Sequence, residues 1–480
     1  MTDKVVPHEV IPSDKLPAGH YRDLPEPPSS WTKLVGPSIL LLGLSIGSGE
    51  FVLWPYITYK FGFVVFWACM VGVLTQYFIN MEIERWTLAT GETAVTGFCR
   101  LWPGWAVVFL LANIIPWIWP GWASGAATLL AWELGGDEGM RVVYSILSLV
   151  AIGLALSLGP VVYNTVERIQ TVLIACVLLF LLVIFSLVVE VDHVVAMGKG
   201  IVNIGHIPEG MELPLFLGAL AFAGAGGTMN LVQSDYVRDK GYAMGAYVGR
   251  LTSPLTGREE VVGDIGYHFE HTDENIRRWN GWWKAANREH FVSFYLLSVF
   301  ALMLLSLIAY ATARQMPELQ QGLGFIRAEG DFIGAAHGAF FGHLFRWMGI
   351  AILLTTELGL LDACARISTD IIKTNWLRNS ARWSKNRLYF FLLWGQIVFG
   401  CLIMLTDFNQ PLVLLVLSAS LNGGVMLIYS LLLLWTNNRV LRGWLAMHPV
   451  RFVAMIWSCA FFGYFTFVTL KNQLPRLWQG

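Results

Sequence analysis

A carboxylate lies beside a short glycine cluster in the middle of the first long apolar run of the chain. The run 34–59 contains Gly47, Ser48, Gly49 and Glu50 in succession. A carboxylate inside such a run is energetically expensive and commonly faces a cavity, a cation or a charged partner. Glycines let a solute approach the backbone closely. We therefore take these four residues as candidate substrate ligands, with Glu50 as the candidate metal ligand.

A second glycine cluster interrupts the apolar run 213–237. Its candidate ligands are Gly224, Gly226, Gly227, Thr228, Met229 and Asn230. Interrupted helices in a membrane are tolerated where the freed backbone is buried in protein or lines a cavity. Paired interruptions in two halves of a chain indicate the substrate site of a transporter. The alternative interpretation is close helix packing through small residues.

Polar residues in the other apolar runs form a second rank of candidates for coupling or binding. Asp362 and Arg366 are four residues apart, so we expect them to share a helix face and to pair, mainly as a structural ion pair. Glu357 lies about 140° around the helix from Asp362, and it can serve a coupling ion or a proton. The remaining second-rank candidates are Gln76, Asn80 and Asn422.

The third apolar run carries tryptophans between two prolines. Trp117, Trp119 and Trp122 lie around Pro116 and Pro120. Such side chains can surround a quaternary ammonium by cation–π attraction. A proline-kinked helix with packing aromatics is the interpretation that we favour.

The composition of the chain indicates the kind of secondary structure that carries these residues. The chain has 480 residues, of which 55% are hydrophobic and 14% charged, whereas a soluble domain carries about 25% charged residues. Apolar runs of about 20 residues recur along the chain and predict an all-α membrane protein with about eleven transmembrane helices, surrounded by the lipid bilayer. The net charge of -1 gives no basic footprint for nucleic acid. No catalytic motif is present, so we expect no enzyme and no catalytic residues.

The predicted spans are 34–59, 62–86, 105–132, 141–160, 165–189, 213–237, 290–312, 346–375, 387–406, 411–435 and 451–470. They form a single transporter domain, 34–470, after an N-terminal tail, 1–33. Lys and Arg are concentrated in 238–289, 376–387 and 436–451, whereas 190–212 is acidic. The positive-inside rule then places the N-terminus and the loop 238–289 in the cytoplasm, and the C-terminus outside a plasma (inner) membrane. The tryptophans of this loop, Trp279, Trp282 and Trp283, predict either an amphipathic helix at the membrane surface or a solvated loop.

The first and sixth spans occupy corresponding places if the chain is built from two repeats of five helices. The repeats are 34–189 and 213–435, and the helix 451–470 lies outside them. With opposite membrane orientations, the two halves make an inverted repeat with broken first and sixth helices.

Several stretches resemble a known family. The stretch 36–59 resembles the first helix of transporters with the LeuT fold. Gly36-Pro37 and the stretch 76–91 are similar to the Nramp family of metal-ion transporters, and Asn230-Leu231 with Ser234 resembles that family's sixth-helix motif. The resemblance implies a LeuT-type 5+5 inverted repeat, transport of a metal cation, and polar contacts to the site from the tenth helix, which holds Asn422.

The residues also depart from that family at its metal ligands. Nramp transporters carry the motif DPGN at the first interruption and Met-Pro-His at the sixth. Here Gly47 stands for the metal-binding Asp, Glu50 for the Asn, Gly227 for the Met and Met229 for the His. Because a thioether helps to select transition metals, we expect a soft metal to be a poor substrate. Met229 can supply a shifted sulfur ligand, although core packing is the favoured interpretation.

Together the sequence predicts an ion-coupled secondary transporter with no cofactor, coupled to H⁺ or Na⁺ and working by alternating access. Three hypotheses remain for the solute. It is a metal cation bound by Glu50 and backbone carbonyls, or a small carboxylate-bearing or zwitterionic organic solute whose amine contacts Glu50. The third is a sensor or scaffold that kept the fold without transport. Whether Glu50 is paired with a basic side chain distinguishes among them.

Overall fold

The computed structural model describes residues 4–253, 266–316, 322–406 and 410–478, and it describes Ser48 by its backbone only. The first half of the chain forms α1 (Pro37–Ser45), α2 (Trp54–Phe61), α3 (Phe66–Thr90), α4 (Ala94–Leu101), α5 (Trp105–Trp117), α6 (Gly121–Leu134), α7 (Glu138–Leu158), α8 (Val162–Val188) and α9 (Val191–Val202). The second half forms α10 (Leu213–Ala221), α11 (Val232–Lys240), α12 (Asp273–His290), α13 (Leu297–Ala311), α14 (Gly324–His337), α15 (Ala339–Asn375), α16 (Lys385–Met404), α17 (Pro411–Val440) and α18 (Pro449–Trp478).

The predicted all-α membrane architecture is confirmed. Among the described residues, nine helical stretches are long and apolar enough to cross a membrane. The other two predicted spans correspond to α3 and to the pair α10 and α11. Of these, α3 carries Glu82, Glu84 and Arg85, whereas α10 and α11 have nine residues each. The charged residues of α3 and the interruption between α10 and α11 make these two spans less apparent from composition. Both spans carry candidate site residues.

The sixth span is interrupted as expected. After α10 ends at Ala221, the chain leaves the helix and then forms one short 3₁₀ segment, Gly227–Leu231, before α11 begins. Gly224, Gly226 and Gly227 have φ angles of 116°, 74° and 53°, in the region that favours glycine. The glycine cluster therefore allows a backbone path that other residues adopt only with strain.

The predicted break in the first span is wrong, because the chain stays helical there and the interruption is a change in the type of helix. Its α-helical pattern is lost over Ile46–Leu53, but the segment is a π-helix rather than an unwound chain. The Trp54 N–H donates to the Gly49 carbonyl, five residues earlier. A widened helix keeps its backbone groups hydrogen-bonded, which an unwound segment in hydrocarbon does not achieve by itself. Glycines here allow the helix to widen without breaking.

The two interruptions face each other, as predicted. A Cβ atom added at Gly49 would lie 1.6 Å from the carbonyl oxygen of Phe222, in the unwound part of the sixth span. The Trp54 indole Nε1 donates to the Ala219 carbonyl at 2.9 Å. The first and sixth spans are therefore in backbone contact at the level of their interruptions.

Two other spans differ from their predicted bounds. The third is divided into α5 and α6 at its proline-rich segment, so the predicted kink is a complete break in the helix. The seventh begins at Asp273 rather than at 290, because α12 continues through the π-helical segment Phe291–Leu296 into α13. The predicted amphipathic helix is α12, and its Trp279 and Trp282 are buried against protein rather than placed at a membrane surface.

The N-terminal segment is ordered against the body of the protein. β1 (His20–Tyr21) pairs in parallel with β2 (Tyr267–His268). The Arg100 guanidinium donates to the carbonyl oxygens of Pro12 at 2.8 Å and Pro17 at 3.0 Å. The polar, proline-rich composition of residues 1–33 suggested a simple tail, but the described part packs onto α4 and the loop before α12.

The orientation of the chain in the membrane gives a direct prediction. Asn280, on α12, and Glu209, before α10, are both exposed. Because positive charge is concentrated around Asn280, we expect N280C to react with a membrane-impermeant maleimide only after the cytoplasmic side is opened, and E209C to react in intact cells. Labelling of N280C from outside would reverse the topology.

Close packing of the two interruptions gives a second prediction. We expect Gly49→Ala to lower the thermal unfolding midpoint in detergent, because overpacking against a fixed backbone carbonyl costs about 1–3 kcal/mol or more. Gly423→Ala is the matched control, since a Cβ there meets nothing within 4 Å. Equal midpoints for the two variants would show that the contact with Phe222 is not a tight one.

Candidate solute-binding site

Gln76 of α3 hydrogen-bonds the unwound part of the sixth span. Its Nε2 donates to the carbonyl oxygens of Ala221 at 3.0 Å and Ala223 at 2.6 Å. Its Oε1 accepts from the Gly226 N–H at 3.0 Å and from the Asn230 Nδ2 at 3.2 Å. One buried side-chain amide thus satisfies three backbone groups that the interruption frees. This role uses both ends of the amide, and it belongs to the protein rather than to a solute.

Asn230 and Asn80 extend this polar region. The Asn230 Nδ2 also donates to the Tyr429 hydroxyl at 2.9 Å, whereas its Oδ1 has no partner among the described residues. Asn80 lies one turn beyond Gln76 on α3, is fully buried, and has no described partner for either of its side-chain polar atoms. Buried amides without partners are rare and mark places where water or a ligand binds.

Thr228 connects the sixth span to the third. Its hydroxyl donates to the Asn113 Oδ1 at 3.0 Å and accepts from the Trp117 Nε1 at 2.8 Å. The Trp117 ring stacks on Phe222 at a centroid distance of 5.4 Å and on Trp122 at 5.8 Å. These three rings form an aromatic wall beside the interruption. Their proximity to the sixth span is not apparent from the sequence, which favoured ordinary packing.

Glu50 is held by hydroxyl groups and not by a basic side chain. Ser45 donates to the Glu50 Oε1 at 2.8 Å, and the Ser45 and Ser298 hydroxyl oxygens lie 3.5 Å apart. The carboxylate is fully buried, and its Oε2 has no hydrogen-bond partner among the described residues. The side chain is therefore directed towards Ser298 of α13.

Gly47 and Gly227 each face a polar side chain at close range. A Cβ at Gly47 would lie 2.1 Å from the Thr356 Oγ1 of α15, and one at Gly227 would lie 1.8 Å from the Asn422 Oδ1 of α17. The Asn422 Nδ2 donates to the Ser418 carbonyl at 2.9 Å, whereas its Oδ1 has no partner among the described residues. The structure thus brings Asn422 to the sixth interruption but leaves Gly47 on the opposite side of the first span.

The remaining predicted candidates make fewer polar contacts at the interruptions. Met229 is fully buried within the main hydrophobic core. Glu357 is buried against α6, where its Oε2 accepts from the Ala123 N–H at 3.3 Å. The side chain of Ser48 lies outside the described residues. Among those described, no group of three or more His, Cys, Asp or Glu side chains is placed to hold a metal ion.

Asp362 and Arg366 form the expected ion pair, at 2.8 Å. Arg366 also pairs with Asp239 of α11. The hydroxyl groups of Tyr389 and Tyr236 donate to the Asp362 carboxylate at 2.6 Å and 3.3 Å. The pair therefore connects α11, α15 and α16, which agrees with a mainly structural role.

The sequence analysis missed a second buried charge cluster that continues from this one. Arg238 of α11 pairs with Asp235 at 2.7 Å, Asp370 at 2.9 Å and Asp239 at 3.7 Å. Lys385 of α16 pairs with Asp370 at 3.1 Å. The spacing of Asp235 and Arg238, three residues apart on one helix, was the signal available in the sequence. The cluster ties the last turns of α11 to the helix ends of α15 and α16.

Comparisons with solved structures identify the class of this architecture. No protein-family model matches the sequence, and no curated protein matches it. A variant of the manganese transporter of Eremococcus coleocola superposes with a TM-score of 0.67 at 14% identity, covering 98% of this chain and 92% of that one. MhsT in complex with L-phenylalanine superposes with a TM-score of 0.51 at 14% identity, covering 90% of this chain and 99% of that one.

These likenesses show the LeuT-type fold that the sequence predicts. The superposition on the Eremococcus coleocola structure has the higher of the two TM-scores, so the fold agrees with the one that the sequence resemblance implies. At 14% identity the superposition establishes the fold only, so the ligands at the interruptions are interpreted from this chain alone.

The contacts of Gln76 give a third prediction. We expect Gln76→Leu to lower the thermal unfolding midpoint markedly, because each backbone group left buried and unsatisfied costs about 1–3 kcal/mol. Gln396→Leu is the control, since Gln396 is half-buried and donates within its own helix, to Leu392. An unchanged midpoint for Gln76→Leu would show that water replaces the side chain at no cost.

Proposed function

We propose that this protein is a secondary transporter that binds a small solute between its first and sixth spans and moves it by alternating access. The LeuT-type fold supports the proposal, as do the two interruptions in backbone contact at Gly49 and Phe222. Transporters of this architecture bind solutes where paired helix interruptions meet near the bilayer midplane. The proposed coupling ion is H⁺ or Na⁺, and the proposed location is the plasma membrane with the N-terminus inside.

The observation that carries the choice of solute is the state of Glu50. A fully buried carboxylate with one oxygen unpartnered, and with only hydroxyl groups as described contacts, is uncompensated. Such a group requires a cation or a proton when it is removed from water. We infer that Glu50 supplies the negative charge that binds a cationic solute.

A hard metal cation fits this chain better than a soft one. Gly227 stands where the related family has a thioether, and the space around its Cα is filled by the Asn422 amide oxygen. Three side-chain oxygens near the interruptions have no partner among the described residues: the Glu50 Oε2, the Asn230 Oδ1 and the Asn422 Oδ1. Carboxylate, carbonyl and hydroxyl oxygens suit Mg²⁺, Ca²⁺ or Mn²⁺ more than Cd²⁺. The ligands are not gathered within one coordination sphere, so binding of a metal requires helices to move.

A zwitterionic organic solute is the second candidate, and the aromatic wall favours it. Trp117, Trp122 and Phe222 present stacked ring faces beside Thr228 at the sixth interruption. A ring wall binds apolar or cationic groups, and glycine amides bind a carboxylate. MhsT, which has the same fold, is known in complex with L-phenylalanine. In this alternative Glu50 contacts the amine.

A fourth prediction separates these candidates by uptake into proteoliposomes. We expect wild-type vesicles to accumulate Mg²⁺ saturably, with Mn²⁺ as a weaker and Cd²⁺ as a poor competitor. We expect Glu50→Gln to reduce uptake about tenfold or more, because a neutral amide cannot offset the cost of dehydrating a divalent ion. The matched control is Glu329→Gln in α14, another buried carboxylate with an unpartnered oxygen, which is far along the chain from both interruptions.

Each alternative has its own outcome in the same assay. Uptake of an amino acid without metal uptake, with a Glu50→Gln effect limited to selectivity for the amine, would support the organic solute and contradict the metal. Strong, saturable Cd²⁺ transport would show that the substituted ligands do not exclude soft metals. Absence of all uptake, in vesicles where the protein is folded by its unfolding midpoint, would support the sensor or scaffold.

A further inference from the structure

Another buried polar cluster, separate from the ion pairs of Arg238 and Arg366, lies between α1, α3, α11 and α12. It consists of five side chains that are each 0% exposed: Ser38, Glu84, Gln233, Glu289 and His290. We call it the Glu84–Glu289 cluster. The proposed function does not use it. It shares α11 with the ion-pair cluster of α11, α15 and α16, but none of its five side chains is in an ion pair of that cluster.

The Ser38 hydroxyl is the centre of the cluster. It donates to the Glu289 Oε2, and its oxygen lies 2.7 Å from the His290 Nδ1 and 3.5 Å from the Gln233 Nε2. The same Gln233 Nε2 lies 3.4 Å from the Glu84 Oε2. The two carboxylates are therefore joined through one hydroxyl and one amide, with no water-exposed surface on any of the five side chains.

Three polar atoms in the cluster have no partner in the described part of the chain. They are the Glu84 Oε1, the Gln233 Oε1 and the His290 Nε2. Gln233 is wedged between Ser38 and Glu84, so its unpartnered oxygen belongs to the interior of the cluster. Buried oxygens without donors indicate that a positively charged or hydrogen-bearing species occupies the site at some stage.

The basic groups around the cluster are committed elsewhere. Arg451 of α18 lies 3.8 Å from Glu82, Arg85 pairs with Glu82 at 2.7 Å, and Lys240 pairs with Glu167 at 2.6 Å. Glu84 and Glu289 are in no ion pair within the described residues. The other ionisable groups that face the two carboxylates are His290, Tyr77, Tyr163 and Tyr242. Lys240 acts electrostatically on Glu289, and Arg451 on Glu84, but neither forms an ion pair with these carboxylates among the described residues.

Two buried carboxylates in this arrangement cannot both be ionised without a cation. Their mutual repulsion and their loss of hydration both favour placing a proton on one of them. A metal ion is the alternative occupant, but no group of three carboxylate, imidazole or thiol side chains among the described residues is placed to hold one. A proton needs one carboxylate oxygen and one hydrogen-bond acceptor, both of which are present.

The cluster and Glu50 lie along the same interface, between the first and seventh spans. Ser38 and Ser45 are seven residues apart on the first span and so lie on one face, two turns apart. His290 and Ser298 are correspondingly placed on the seventh span, and Ser45 and Ser298 contact each other beside Glu50. The candidate cation site and the Glu84–Glu289 cluster thus lie along the same pair of spans, about two helical turns apart.

We propose that the Glu84–Glu289 cluster is the binding site for the coupling proton of this transporter. That the proton is coupled to a solute rests on the proposed function, whereas proton binding itself does not. A proton arriving from one side binds a carboxylate oxygen of Glu84 or Glu289 and leaves as H⁺ to the other side, with no other bond made or broken. Loss of the proton leaves two carboxylates facing each other across Ser38 and Gln233. Their repulsion favours separation of α1 and α11 from α3 and α12, the movement that opens the interrupted helices.

The first test needs no solute. In infrared difference spectra of the purified protein in liposomes, recorded between acidic and alkaline buffer, a protonated carboxyl group gives a carbonyl stretch that the carboxylate lacks. We expect Glu289→Gln and Glu84→Gln each to remove part of this signal. Glu82→Gln is the matched control on α3, because Glu82 is equally buried but is ion-paired with Arg85. Spectra of both cluster variants identical to wild type would overturn the proposal.

The second test measures coupling in proteoliposomes with a pH dye inside and Mg²⁺ or an amino acid as the probe. We expect wild type to move protons with the solute, and Glu289→Gln to lose pH-driven accumulation at least about tenfold while retaining solute exchange at equal pH. Accumulation driven by a Na⁺ gradient and insensitive to pH would overturn the proton assignment. If no solute is transported, the proposed function fails, while the infrared result still decides whether the cluster binds a proton.

Discussion

Hydrocarbon offers no hydrogen-bond partner to a freed peptide group, and this constraint shapes the whole centre of the protein. The first span meets it by widening into a π-helix, so that its own backbone remains bonded. The sixth span does leave the helix, and there Gln76 supplies the missing partners for three backbone groups. The interruption of one helix therefore depends on a single amide from another, which fixes how α3 packs against the centre.

The same constraint applies more strongly to charge. The protein places its buried ionisable groups in two classes. Several of α11, α15 and α16 are joined in ion pairs, such as Arg366 with Asp362 and Arg238 with Asp370, and they hold helices together. Glu50, Glu84 and Glu289 have hydroxyl or amide partners but no described counter-ion. Paired charges stabilise one arrangement of the helices, whereas the charge of an unpaired carboxylate is compensated only when a cation or a proton arrives.

Length, apolar runs and glycine clusters were sufficient to predict the membrane fold and the interruption of the sixth span, because those depend on local composition. The π-helical form of the first interruption was not predictable, since glycine permits both widening and unwinding. Gln76 and Asn422 were identified as polar residues at membrane depth, but their contacts with Gly226 and Gly227 depend on how distant helices pack. The role of Ser38 and Glu289 was missed because each lies near a predicted helix end, where polar residues usually face water.

The centre of the structure is closed, and this determines what binding must do. Gly49 is against the Phe222 carbonyl, and Gly227 is against the Asn422 amide, so neither interruption leaves room for a side chain. A solute can reach the backbone here only if the first and sixth spans separate. Glu50 faces α13 rather than the sixth span, and it must therefore turn or follow that movement to meet a solute. Separation of the first and sixth spans therefore moves Glu50, which lies on the first span. It also moves Ser38 and Gln233, which contact Glu289 and Glu84.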